Sequence, residues 1–284
     1  MSLLWDAFQT AVVRRINVRG VLTRTVTMGD PASTARPVLM LHGRGGHLET
    51  FARNLGVLAK RGPVVAIDLL GHGLTEQAGV AYDVGELTDH VASVAEDLDD
   101  GRGFDLVGQS LGGWAALHAA SRTPDAFGKI ALIEPAGLQP EGDRMADPRV
   151  KQAFAEGGKA FDDPSSDSVR RRFAQLLHDP STIDDEMVEL RRRLYAIPGA
   201  TDVHRAVRNA DNSRHLVSTD QLTSLARPLL FIRGQHGHIP PAVFERCLDA
   251  APGSTLATVA DAKQWPHYEQ SSTVNRHILT YLEN

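Results

Sequence analysis

The sequence contains a single cysteine, Cys247, so it forms no internal disulfide and no all-thiolate metal site. So sparse a use of thiols fits a reducing compartment, and a cytoplasmic location is expected. No apolar run reaches 18 residues, which excludes a membrane-spanning helix of ordinary length. The first 15 residues, MSLLWDAFQTAVVRR, lack a basic start before their apolar part and carry Asp6. They make a poor signal peptide and read as a short surface helix. A net charge of −5 is too small to imply a nucleic-acid or membrane partner. Repeats and low-complexity tracts are absent too. GRGGH (43–47) follows a strand-like run but lacks the G-x-G-x-x-G dinucleotide fingerprint. His236 and His238 share a loop with no third metal ligand in view. No cofactor or metal is therefore expected. The partner these absences leave is a small-molecule substrate, and a homo-oligomer is compatible with them.

What the chain does have is a series of unalternating apolar runs: RPVLMLHG (36–43), GPVVAIDLLG (62–71), FDLVGQS (104–110), KIALIEPAG (129–137) and RPLLFIRG (227–234). STLATVA (254–260) is a weaker sixth. Such runs suit strands covered on both faces, hence a parallel sheet. RINVRGV and TRTVTMG alternate, as an antiparallel edge pair would. Between the runs lie helical patterns, as in ELTDHVASVAEDLDD, where Leu87, Val91, Val94, Ala95 and Leu98 share a face. LGGWAALHAASR (111–122) is a second, ending before Pro124. Strand and helix alternate, which predicts a doubly wound α/β fold. The alternation stops over 138–226, a polar stretch with helical pieces near 150–160, 168–178, 184–195 and 202–209. It reads as a helical lid inserted into a core made of residues 1–137 and 227–284. The arginine runs Arg170–Arg172 and Arg191–Arg193 fall in it; solvated helix faces explain such runs, and a carboxylate-binding role is the alternative.

Three motifs carry chemistry. Gly108-Gln109-Ser110-Leu111-Gly112 is G-x-S-x-G between a strand run and a helix run, the pattern of a nucleophile elbow. LHGRGGH (41–47) is a glycine-rich turn after a strand. The backbone N–H groups of Arg44 and Leu111 are the candidate oxyanion-hole donors, with Gly43 and Gln109 beside them; a turn serving packing alone is the alternative. IDLLGHGLT (67–75) completes the set.

With these motifs at these separations, the chain resembles the α/β-hydrolase fold family. HGRGGHLETFARNL, GQSLGGW and LHDPSTIDDEMVELRRRLY resemble, more narrowly, the meta-cleavage-product hydrolases, which cleave C–C bonds in vinylogous diketone acids. The resemblance implies a serine nucleophile at Ser110, an aspartate after the penultimate strand and a histidine before Trp265-Pro266. Here FIRGQHGHIPP places Gly237 at the acid position, and AKQWPHYEQ places Gln264 at the base position. A glutamine accepts no proton at neutral pH, and in subtilisin losing the histidine alone costs about 10⁶ in rate.

Other residues are candidates for the missing roles. Glu134, at the end of KIALIE, is a relocated acid or an Arg-paired structural carboxylate. His238 and His267 are candidate bases, each weighed against an ordinary loop or helix histidine. Gly43, Gln109, Trp265 and Arg192 are expected to bind substrate, Arg192 standing for the run 191–193 as the carboxylate holder. Three readings follow: carbonyl polarisation without a full triad (cyclisation, isomerisation or bond cleavage), hydrolysis with relocated acid–base groups, or a non-catalytic small-molecule binder. Gln264→His together with Gly237→Asp is expected to raise hydrolysis of an activated ester.

Overall fold

The structure is a computed structural model that describes residues 2–284. Its strands are β1 (Val12–Val18), β2 (Val21–Met28), β3 (Val38–Leu41), β4 (Val64–Ile67), β5 (Phe104–Gln109), β6 (Phe127–Ile133), β7 (Leu229–Gly234) and β8 (Thr255–Val259). They form one sheet in the order β1-β2-β4-β3-β5-β6-β7-β8. β1 and β2 run antiparallel, as does β2 against β4; every pairing from β4 through β3 to β8 is parallel.

The apolar runs are unalternating because both sheet faces are covered. Leu39, Leu41, Leu106, Leu132 and Phe231 point to one side, where helices Val84–Leu98, Leu111–Arg122 and Pro241–Ala250 pack. Val38, Met40, Val107, Ile133 and Ile232 point to the other, against helix Ser271–Glu283 and the turn around Phe51. Each such fully buried aliphatic side chain contributes about 1.5–3 kcal/mol relative to exposure.

The N-terminus departs from expectation. The surface helix ends at Phe8, and residues 12–18, assigned in part to that helix, form β1. The β-branched Val12, Val13, Ile16 and Val18 favour extension, and the pair closes through Arg19 and Gly20 with φ of 48° and 88°. Two left-handed residues make the short hairpin turn whose twist matches the strands.

The strand order reverses between β3 and β5: the chain leaves β3 for β4 on one side and returns to β5 on the other. Loops from adjoining strand ends part there, opening the crevice in which doubly wound folds place ligands. Between β6 and β7 the regular structure is helical, with Pro148–Asp162, Ser166–Leu176, Asp185–Tyr195 and Ala200–Asn209 its longer helices. Phe161, Phe173, Met187 and Tyr195 from these helices form a separate apolar cluster with Trp265 and Tyr268. The helical segment thereby rests on the loop that follows β8.

Candidate active site

At the end of β5 the chain turns sharply into helix Leu111–Arg122. Ser110 takes up the turn with φ 50° and ψ −114°, a strained conformation for a residue with a side chain. Backbone bonds hold it: its N–H donates to the Ile133 carbonyl, and its carbonyl accepts from Trp114 and Ala136. The β3 loop lies against it. A Cβ on Gly43 would stand 2.2 Å from Gln109 Oε1 and 3.0 Å from Ser110 Cβ, so a side chain there would displace the Gln109 amide and crowd Ser110. His42 pins that loop. Its Nε2 accepts from the Leu69 N–H at 3.0 Å, which leaves Nδ1–H to donate to the Gly43 carbonyl at 2.8 Å. The N–H groups of Arg44 and Leu111 donate to no backbone carbonyl among the described residues and sit at the cavity wall.

That cavity has two lobes meeting at Ser110, Arg44 and Arg144, with about 620 and 1030 Å³ of empty space when the open mouths are included. Gly43, Gln109, His238, Gln264 and Trp265 line the first lobe, Leu111 and Trp114 the second. A larger groove of about 2000 Å³ opens at the opposite end of the strands, between Phe127, Arg227 and Tyr281. It lies at the N-terminal strand ends, away from the nucleophile turn, and contains none of the candidate site residues.

Glu134 and Gly237 occupy one position between them. The Glu134 carboxylate reaches across from the end of β6, and its Oε1 accepts from the Gly234 N–H at 2.7 Å. A Cβ on Gly237 would lie only 2.0 Å from that Oε1. The glycine at the acid position is thus the space that Glu134 fills. Among the described residues no arginine comes into ion-pair contact with this carboxyl, although the charges of Arg233 and Arg144 act on it from further off, so the Arg-paired alternative is not what holds it; Oε2 is buried without a partner. Burial pushes the carboxyl up to about 8 against the opposing Gly234 bond, and it stays protonated at neutral pH.

Gln264 stands where the base was sought. Its N–H donates to the Leu176 carbonyl at 3.0 Å, its Nε2 approaches the Glu134 carbonyl at 3.5 Å, and its own carbonyl receives Gln109 Nε2 at 3.4 Å. His238 is on the cavity wall with Nε2 buried and unpartnered; burial and the nearby Lys263 push it down to about 4, so it is neutral. His267 is not in the site. It packs under Phe51 and Trp265 with both ring nitrogens unpartnered, pushed down to about 3 by burial. Every histidine side-chain hydrogen bond among the described residues goes to a group other than Ser110.

The arginine assignment also changes. Arg192 and Arg193 bond Glu189 on the outer face of their helix, at 2.7 Å each, and do not reach the cavity. Arg191 turns inward. It is 1% exposed, with Nε donating to His47 Nε2 at 3.3 Å and its guanidinium over Phe173 and Trp265 at 4.4 and 4.8 Å. His47 in turn donates to Glu49, which Arg24 holds together with Asp68. The cavity's cations are others: Arg44, Arg144, Arg172 and Arg208.

One cluster could hold a metal. His178, His236 and Asp261 bring ligand atoms within 4.8 Å of one another, all exposed, with the two rings stacked at 4.1 Å. His236 thus has the partners that its own loop did not supply, and His238 is not among them.

Comparison with known proteins bears on the family and the fold. The family described as alpha/beta hydrolase fold matches residues 36–271. A dihydrolipoyllysine-residue acetyltransferase component of the acetoin cleaving system from Pseudomonas putida is 26% identical over 98% of this chain and 71% of its own. The 2-hydroxy-6-oxo-2,4-heptadienoate hydrolase of Pseudomonas putida is 27% identical over 94% of this chain and 98% of its own. Among solved structures, a meta-cleavage product hydrolase from Pseudomonas fluorescens superposes with a TM-score of 0.82 at 21% identity, covering 95% of this chain and 97% of that one. That last likeness is one of fold.

Proposed function

Because the chain belongs to the α/β-hydrolase fold family, we propose that it is an enzyme acting on a small carboxylate-bearing carbonyl compound without a serine-hydrolase base. The helices of 138–226 serve as its lid. The substrate carbonyl sits between the N–H groups of Arg44 and Leu111, which stabilise negative charge developing on its oxygen. Ser110 contributes its hydroxyl as a hydrogen-bond donor. Gln264 holds a substrate polar group with its amide where a histidine would have moved a proton.

This arrangement suits reactions in which electrons flow onto the carbonyl oxygen and the protein removes no proton. Decarboxylation of a β-keto acid is one: the C–C bond to the carboxylate breaks, its electron pair moves through the α-carbon onto the ketone oxygen, carbon dioxide leaves, and the enolate is protonated from solvent. Cyclisation by a group the substrate itself carries is another. Positioning and electrostatic stabilisation carry such chemistry. The observation that supports this reading most is the wall of the first lobe. Ser110 and Gln264 share it, while the one histidine there is held near 4 by burial and bonds nothing.

Intact mass after exposure to a fluorophosphonate, with Ser110→Ala as control, is the test. No adduct on folded protein is expected. A stoichiometric adduct on Ser110 would replace this reading with hydrolysis by relocated acid–base groups.

A further inference from the structure

The charges lining the cavity do not balance. Four cations face it, Arg44, Arg144, Arg172 and Arg208, against two acids, Glu141 and Asp211. Glu141 is taken up by Arg144 at 2.6 Å, and Asp211 by the Ser213 N–H at 3.0 Å. The acids behind the rim are engaged as well: Glu156 with Lys159 at 2.7 Å and Arg171 at 3.9 Å, Asp162 with Arg205 at 3.7 Å. Arg44, Arg172 and Arg208 therefore have no carboxylate in ion-pair contact among the described residues. Arg44 and Arg208 lie on the Phe154 ring, at 5.0 and 3.8 Å, and Arg172 donates to the Ala153 carbonyl at 2.8 Å. Arg172 lines the first lobe, Arg208 the second and Arg44 both, so the helices Ser166–Leu176 and Ala200–Asn209 and the β3 loop bring unneutralised guanidinium groups to the cavity wall on either side of Arg44.

We propose that this wall is a subsite for a compact dianion, either a phosphate ester or a pair of adjacent carboxylates, whose two charges equal the excess of four cations over two acids. The inference rests on the enzyme reading only for its orientation, with the carbonyl at Ser110 and the dianionic end against Arg44, Arg172 and Arg208. Burial and the neighbouring Arg144, Arg172 and Arg208 push the Arg44 guanidinium down to about 9, and burial pushes Arg172 to about 10. Both are cations at neutral pH, held at a cost that a bound anion removes. Guanidinium groups also suit this ligand geometrically, since their paired N–H groups match two oxygens of a phosphate or carboxylate.

The test measures affinity, not turnover. Benzoate, phthalate and phenyl phosphate are titrated against the full chain at pH 8 and low salt by calorimetry, with Ser110→Ala alongside. At least one of the two dianions is expected to bind about tenfold more tightly than benzoate or better, a difference of about 1.4 kcal/mol. Arg172→Met and Arg208→Met are each expected to abolish that preference, and Arg192→Met, on the outer face, to leave it intact. Because a variant can fail to fold, the wild type is also titrated with salt, where the preference should shrink as screening grows. Equal affinity for all three ligands overturns the proposal, as does a preference that survives both substitutions. A preference for phthalate identifies adjacent carboxylates, and one for phenyl phosphate identifies a phosphate ester. If Ser110 reacts with the fluorophosphonate yet Ser110→Ala keeps the preference, the base-free reading fails and the dianion site stands.

Discussion

Replacing Gln264 by histidine should install a working base without any second change. The acid is already in place, because the Glu134 carboxylate fills the space beside Gly237, with Oε2 unpartnered. A histidine at 264 would rise from the backbone that donates to Leu176, across the cavity wall from Ser110. In subtilisin the histidine is worth about 10⁶ in rate, while a misplacement of about 1 Å costs roughly 10². A gain of about 10²–10⁴ in hydrolysis of p-nitrophenyl acetate is therefore expected. Glu134→Gln in that background should remove at least tenfold of it, since an imidazolium beside Glu134 favours the ionised form of that otherwise neutral carboxyl, and an amide cannot supply the charge. Adding Gly237→Asp, which the sequence alone recommended, should do harm. Its Cβ would enter within 2.0 Å of Glu134 Oε1 and bring a second carboxyl onto the first. The assay is initial rates for wild type, the single variant and the double variant, with folding checked by circular dichroism. A folded Gln264→His protein with no gain, or a further gain from Gly237→Asp, would refute the placement of Glu134 as acid.

Three other changes probe the same packing. Glu134 is neutral in the fold up to about 8 but ionises in the unfolded chain from its ordinary 4.5, so its contribution to stability is whole below 4.5 and is lost as pH rises toward 8. Urea unfolding at pH 5 and 8.5 should show Glu134→Gln gaining on wild type by up to about 4 kcal/mol between the two; an equal change in stability for both proteins would mean the carboxyl is not buried as described. Gly237→Ala should cost about 1–3 kcal/mol by overpacking against that carboxylate, and an unchanged melting temperature would contradict the contact. Arg191→Met should raise the melting temperature by about 2–4 °C, the size of a 1 kcal/mol gain. It removes a cation buried beside rings and a neutral imidazole with Nη2 unpartnered, and a marked fall would show that the His47 contact is worth more than the desolvation.

Much of the sheet was legible because a parallel strand covered on both faces has one reading: apolar throughout, with no room for alternation. That accounts for β3 through β7 and, with β5, for the turn at Ser110, whose glycines and following helix leave the chain few alternatives. The site's chemistry was less legible, for a geometric reason. Gly237 reads in sequence as a lost acid, yet in space it is a cleared volume. The side chain that uses it comes from a strand end about a hundred residues earlier, and no spacing rule joins the two.

The arginines teach the opposite lesson, since their signal was present in the sequence. In Asp185–Tyr195 the buried positions are Met187, Val188, Arg191, Leu194 and Tyr195, one stripe at helical spacing. Arg191 sits on that stripe, and Arg192 and Arg193 lie off it, where Glu189 meets them. Likewise Val169, Phe173 and Leu176 define the inner face of Ser166–Leu176, and Arg172 falls between them while Arg170 and Arg171 point outward. Taken as a run, three arginines look like one solvated surface. Taken by phase, each run divides: the inward member is a cation fully buried among apolar neighbours at Arg191 and half-buried at the cavity wall at Arg172. Such a cation is retained only where something offsets its desolvation. For Arg191 the structure supplies rings and an imidazole. For Arg172 it supplies a single carbonyl and an open cavity, which leaves the remaining compensation to the ligand.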